Sequence, residues 1–369
     1  MGRSDGSIRW MAASWATGMP LAACPSAPRR PGTRPPRFGV RSPAVTPPAP
    51  STDLATDLVG VRIGWFAGAD AVTLDDAVGR TARAVDEGFG AVWFPQTASL
   101  DALTALAVVA REVPEPHLGT AVVPVQGRHP IPLALSALTV ADAAGPGRFT
   151  FGIGATHAPV SEGWFGIPYR GIVDVCAETI EAVNGMFSES RTANVEGEHL
   201  TARITTSMQV PAPSLMLAAL GPRMVALAGA HTDGSITWMT GPHELARLVG
   251  GLRRAAADAG RPAPRVVVGI PVCLTDDVDG TREELQPLLE RVATMPSYKR
   301  QVANEGVDHP VDVVVLGDEA ALRTRLAALA AVGMTELCAH VVGSAAQQAD
   351  TRRFLGGLSR NLAHEAGAS

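Results

Sequence analysis

From Val61 to the carboxyl end the sequence alternates between two hydrophobic periods, and that alternation limits the fold more than any other feature. Val61 to Phe66 is apolar and strand-like, and Leu74, Ala77, Val78, Thr81, Ala82 and Val85 then recur at i, i+3, i+4 spacing up to Gly88, which predicts a helix. The pair of signals repeats. Further strands are predicted at 90–95, 117–124, 148–154, 214–219, 233–238, 265–274 and 335–342, with helical patterns between them and after the last. Eight strands joined by crossover helices is the count of an α/β (β/α)8 TIM barrel. A doubly wound open sheet is the alternative, but no G-x-G-x-x-G follows Phe66. Two stretches interrupt the rhythm. Residues 188–213 contain Asn194-Val195-Glu196-Gly197-Glu198-His199-Leu200, which reads as an inserted hairpin, and a long helical region breaks near Pro296 before an apolar run at 311–316.

At 369 residues with 46% hydrophobic side chains the chain can bury one large core. Residues 1–57 hold ten of its 29 prolines and no periodic pattern, so they read as a disordered extension or a misplaced start, leaving 58–369 as the barrel. Net charge is −5, but the extension carries +4 and the remainder −9, an acidic body that argues against a nucleic-acid partner. No apolar run beyond the first few dozen residues is long enough to span a bilayer. Cys24, Cys176, Cys273 and Cys338 form no C-x-x-C pair, and Cys176 falls on an apolar helix face where packing is its expected role. A reduced, cytoplasmic protein is the expectation. The alternative is an exported lipoprotein acylated at Cys24, since Leu21-Ala22-Ala23-Cys24 follows Arg3, Arg9 and a mildly apolar run.

In a barrel the chemistry gathers at the carboxyl ends of the strands. Those ends carry Gly64, Trp65 and Phe66; Gln96 and Thr97; Ala121 to Val123; Gly154 to His157; Leu220 to Arg223; and Trp238 to Gly241. The set is apolar and aromatic. Helices opening at Gly221-Pro222-Arg223 and Gly241-Pro242 offer free N–H groups and positive dipole ends, and Arg223 adds a charge, which suits a planar ring with a phosphate tail. Asp75-Asp76 and Asp276-Asp277 precede helices and read as caps. There is no H-E-x-x-H, G-x-S-x-G or P-loop, no metal site is expected, and His157 is the one histidine among these ends. With so few ionisable groups, a cofactor would have to supply the reactivity. Trp65, Trp164, Tyr169 and Trp238 are expected to wall a pocket for a small, apolar organic substrate.

The runs LGTAVVP at Leu118 to Pro124, HPIPLALSALTVADAAGPGRFTFGIGATH from His129, and LAALGPRMVALAGAHTDGSITWMTGP from Leu217 resemble the luciferase-like monooxygenase superfamily. More narrowly they resemble its deazaflavin (coenzyme F-420) dependent oxidoreductases of actinobacterial type. The resemblance implies hydride exchange on a deazaflavin held at the strand ends, and a homodimer. It implies a non-prolyl cis peptide at Ala121-Val122 buttressing the ring, with Gly154, Ala155 and Thr156, joined by Gly64 and Trp238, as cofactor contacts. Leu220, Gly221, Arg223, Thr240 and Gly241 would lie near the phosphate or ring edge. Relatives place an Asp-His pair at the end of the second strand, where this chain has Gln96-Thr97. Gln96 could still hydrogen-bond the ring, and His157 is left as candidate acid. FMN with oxygen is the alternative chemistry, and a cofactor-binding protein without turnover is a second alternative, favoured by the missing pair.

Overall fold

The computed structural model describes residues 58–368. The expected extension over 1–57, with Cys24, lies outside the described residues. In chain order the strands are β1 (Arg62–Trp65), β2 (Ala91–Phe94), β3 (His117–Thr120), β4 (Val123–Pro124), β5 (Phe149–Gly154), β6 (Thr192–Glu196), β7 (Thr201–Thr205), β8 (Ser214–Ala218), β9 (Gly234–Trp238), β10 (Arg265–Leu274), β11 (Val315–Gly317) and β12 (Glu336–Val341). The helices are α1 (Leu74–Glu87), α2 (Ala102–Glu112), α3 (Pro130–Ala144), α4 (Ala158–Gly163), α5 (Ile172–Phe187), α6 (Pro222–His231), α7 (Pro242–Asp258), α8 (Val278–Thr294), α9 (Pro296–Glu305), α10 (Glu319–Ala331) and α11 (Ala345–Ala368).

All pairings of the main sheet are parallel, and β10 pairs with β9 on one side and β12 on the other while β12 pairs with β1. The sheet therefore closes. β3 and β4 act as one barrel position interrupted at Ala121-Val122, where the peptide bond is cis. One expected run resolves differently. The run at 311–316 becomes a 3-10 turn over Pro310–Val313 and the short β11, which pairs outside the barrel with the last residues of the ten-residue β10. After β5, α4 opens directly at Ala158. Residues 192–205 form an antiparallel hairpin clasped by Glu178 of α5, whose carboxylate accepts from the backbone N–H groups of Glu198, His199 and Leu200 at 2.8, 3.0 and 2.9 Å.

The strands are apolar on both faces, and the two faces serve different cores. Ala91, Trp93, Met216, Ile236, Val267 and Cys338 meet inside the barrel, and a larger cluster packs the sheet against the helices. Trp93 fills the centre because β1 offers it a glycine: a Cβ on Gly64 would stand 2.8 Å from the indole Nε1. Trp65, one residue on, points the other way. It packs against Phe89 at 5.9 Å between ring centroids and lies under the Arg352 guanidinium at 5.2 Å. At the amino end of the barrel Trp93 Nε1 donates to the buried Glu336 at 3.0 Å, and Arg265 reaches the same carboxylate at 2.9 Å. The sheet is thus pinned shut at the end away from the expected chemistry. Cys176, Cys273 and Cys338 are buried, and burial raises Cys176 to about 12 and Cys273 to about 11, as packing groups require.

Candidate active site

A cavity of about 960 Å³ opens at the carboxyl ends of the strands. That is ample for a planar ring system with a tail. Ala121 and Val122 line it through the interrupted strand, Ala155, Thr156 and His157 through the end of β5, and Leu220, Gly221 and Arg223 through the start of α6. Trp238, Trp164 and Tyr169 contribute aromatic wall. Trp164 and Tyr169 come from the loop after α4, which brings the expected aromatic residues over the opening.

Five expected residues are placed elsewhere. Gly64 lies under Trp93 inside the barrel, and Trp65 faces the helices, where it lines a separate, polar cleft. Gly154 is buried below the cavity floor; a Cβ there would meet Ala218 Cβ at 2.7 Å and Val122 Cγ2 at 3.0 Å, so its role is close packing of neighbouring strands. Thr240 turns away, fully buried, and donates to Gln301 Oε1 at 2.6 Å. The helix start at Gly241 is already occupied by an anion of the chain itself: Glu305 accepts from His243 N at 3.2 Å and Glu244 N at 2.9 Å. An external phosphate therefore has no place at α7. The start of α6 differs, since Gly221 provides no side-chain cap and Arg223, 73% exposed, is balanced among the described residues only by Asp174 at 3.5 Å.

Gln96 lines the cavity but is committed to its own loop. Its Nε2 donates to the Thr97 and Leu100 carbonyls at 3.0 and 3.4 Å, and its Oε1 accepts from Ala102 N and Arg128 at 3.0 and 3.3 Å. The carboxamide braces the loop between β2 and α2. His157 lies at the start of α4 with its ring 6.0 Å from that of Tyr298, and burial lowers it to about 4. It is therefore a neutral imidazole at neutral pH, which can accept a proton but is not a charged acid.

The structure adds residues that the strand-end inventory missed. Gln126, in the loop after β4, accepts from Thr156 N at 2.9 Å through Oε1, while its buried Nε2 has no hydrogen-bond partner. This unsatisfied donor is sealed just behind the cavity wall. Tyr298, on α9, lines the cavity from the far side and is one of only two tyrosines in the chain. Its one sequence signal was its place two residues after the helix break at Pro296. Every charged side chain lining the cavity is an arginine: Arg128, Arg223, Arg291 and Arg300.

A family model described as luciferase-like monooxygenase matches residues 58–353. A protein of Mycobacterium tuberculosis (strain ATCC 25618 / H37Rv), whose name provisionally makes it a coenzyme F-420-dependent oxidoreductase, is 28% identical over 233 residues, 56% of this chain and 65% of the relative. The match thus spans somewhat under two thirds of the relative's length. Among solved structures, an F-420-dependent secondary alcohol dehydrogenase in complex with an F-420–acetone adduct superposes with a TM-score of 0.68 at 17% identity, covering 82% of this chain and 99% of that one. The coenzyme F-420-dependent tetrahydromethanopterin reductase of Methanopyrus kandleri gives 0.66 at 17% identity, over 81% and 97%. The oxygenating constituent of 3,6-diketocamphane monooxygenase from Pseudomonas putida, in complex with FMN, gives 0.64 at 17% identity, over 83% and 98%. At these identities the likeness to the solved structures is one of fold.

Proposed function

Because the chain belongs to the luciferase-like monooxygenase family, we propose that it is an oxidoreductase that moves a hydride between reduced deazaflavin (coenzyme F-420) and a small organic substrate. The observation that carries this reading is the cavity's lining: apolar and aromatic walls, an interrupted strand at Ala121-Val122, and an uncapped helix start with Arg223 at its edge. The name of the Mycobacterium tuberculosis relative supports the deazaflavin, and the FMN complex keeps flavin as the competing cofactor.

In this reading the backbone at Ala121, Val122, Ala155 and Thr156 forms the seat for the ring. Leu220, Gly221 and Arg223 hold the phosphate end, where backbone N–H groups and a guanidinium act together. When bound, reduced deazaflavin supplies a hydride and, with carbon in place of the ring nitrogen that flavin uses, does not activate oxygen. Trp164, Tyr169 and Trp238 shape the substrate space and keep it poor in water. Among the described residues no helix is long and apolar enough to cross a membrane.

Fluorescence titration of the purified protein with each cofactor tests the proposal. Saturable binding of the deazaflavin is expected, and saturable binding of FMN with none of the deazaflavin would overturn it in favour of a monooxygenase. Tight deazaflavin binding without reduction of any substrate panel would favour a carrier.

A further inference from the structure

Delivering a hydride to a polar double bond leaves negative charge on the heteroatom, and in a dry pocket that charge needs a donor. Gln96 is engaged by its loop, and His157 carries no charge to give up at neutral pH. Tyr298 is differently placed. It is only 8% exposed and belongs to a buried apolar cluster with Met239, Leu285, Leu289, Val292 and Val311, drawn from α8, α9 and the β9 end. No hydrogen bond within the described residues engages its hydroxyl, and the hydroxyl is not among the sealed, partnerless polar atoms. It therefore opens onto the cavity that the residue lines. Its ring neighbour is His157, next in sequence to the proposed ring contacts Ala155 and Thr156.

We propose that Tyr298 is the catalytic proton donor of the site and that the substrate it serves is a ketone or aldehyde; this rests on the deazaflavin reading above. The carbonyl carbon takes the hydride with its two electrons, and the C=O π pair moves to oxygen. The Tyr298 O–H bond breaks as that oxygen takes the proton, giving the alcohol, and the phenolate recovers a proton from solvent at the cavity mouth. Burial raises the phenol above its ordinary range, so it stays protonated until a strong base forms beside it. A nascent alkoxide is such a base. An imine is not served this way, because it must be protonated before it accepts hydride, and a phenol held so high is too weak an acid for that. Tyr169, the other tyrosine, is 36% exposed at the rim, where water competes for its hydroxyl.

The test is Tyr298→Phe, which removes one oxygen and leaves the ring packing in place. Parent and variant are titrated with deazaflavin and assayed with reduced deazaflavin on cyclohexanone, acetophenone and hexanal. Separately, the carbonyl stretch of cyclohexanone is recorded by infrared difference spectroscopy on the complex with oxidised deazaflavin, where no turnover occurs. The proposal expects the variant to bind deazaflavin within about twofold of the parent, to lose about 100-fold or more in kcat, and to lose a downshift of the stretch that the parent shows. A variant within about threefold of the parent in kcat with an unchanged stretch removes Tyr298 from the role and leaves the cofactor assignment standing. A deazaflavin-loaded parent that reduces no member of the panel overturns the carbonyl assignment. Binding of FMN alone takes down the cofactor reading and this inference with it.

Discussion

Arg223 has little shelter: it is exposed, its one ion pair among the described residues is with the exposed Asp174, and it stands in the first turn of α6. A cation there adds to the dipole end by an amount that bulk water and salt keep small. Arg223→Ala should weaken deazaflavin binding about fivefold at low ionic strength, roughly 1 kcal/mol, and the difference should shrink as salt is raised. Equal affinities for parent and variant at low salt would move the phosphate end elsewhere. Gly64 and Trp65 show what sequence could not decide at this scale. The strand is apolar on both faces, so the alternation marks a strand without saying which face turns inward, and only Trp93 of the neighbouring β2 makes Gly64 the inner residue. Ala155, Thr156 and Arg223 were legible because a strand end or helix start fixes their position regardless of face.

At the scale of elements, the eight barrel strands could be read from period and punctuation, and so could the crossover helices. The connection between β10 and β12 was read in part: the helical region and its break near Pro296 match α8 and α9, whereas the division of the 311–316 run into a 3-10 turn and β11 depends on residues far away in sequence. Glu305, the last residue of α9, is the clearest case. It supplies the anion at the amino end of α7 that a reading of Gly241-Pro242 alone leaves open, and the two partners are 62 residues apart. Glu305 is thus both a cap for α7 and the tie that holds α9, and with it Tyr298, against the barrel. Glu305→Ala should cost about 1 to 2 kcal/mol in urea denaturation, the upper range for a lost cap. Adding phosphate should recover part of this loss in the variant and none in the parent, because only the variant has an open helix end. Identical phosphate responses in the two proteins would show that the carboxylate does not fill that end.

For the whole molecule, the two ends of the barrel have divided tasks: the carboxyl end keeps a cavity, and the amino end is closed by polar groups that belong to different strands. His117 of β3 bonds Thr150 of β5 at 2.8 Å, Arg265 of β10 reaches Thr150 at 2.9 Å, and the same arginine holds Glu336 of β12. His117 is lowered to about 3 by burial first and then by the nearby Arg62 and Arg265. Above pH 6.5 the imidazole is neutral in both folded and unfolded chains, and folding is indifferent to it. As pH falls below 6.5 the unfolded chain binds a proton that the folded chain refuses until about pH 3, so stability is lost on acidification by up to about 1.4 kcal/mol per pH unit. His157, lowered to about 4, acts in the same direction. Urea denaturation of the cofactor-free protein between pH 8 and pH 5 should therefore show stability falling with pH. His117→Gln should start about 1 kcal/mol lower at pH 8 for its weakened hydrogen bond and then fall with roughly half the parent's histidine-derived slope, since His157 remains. Parallel curves for the two proteins would mean that His117 takes up its proton as readily folded as unfolded, and that the amino end of the barrel is open to water instead of closed.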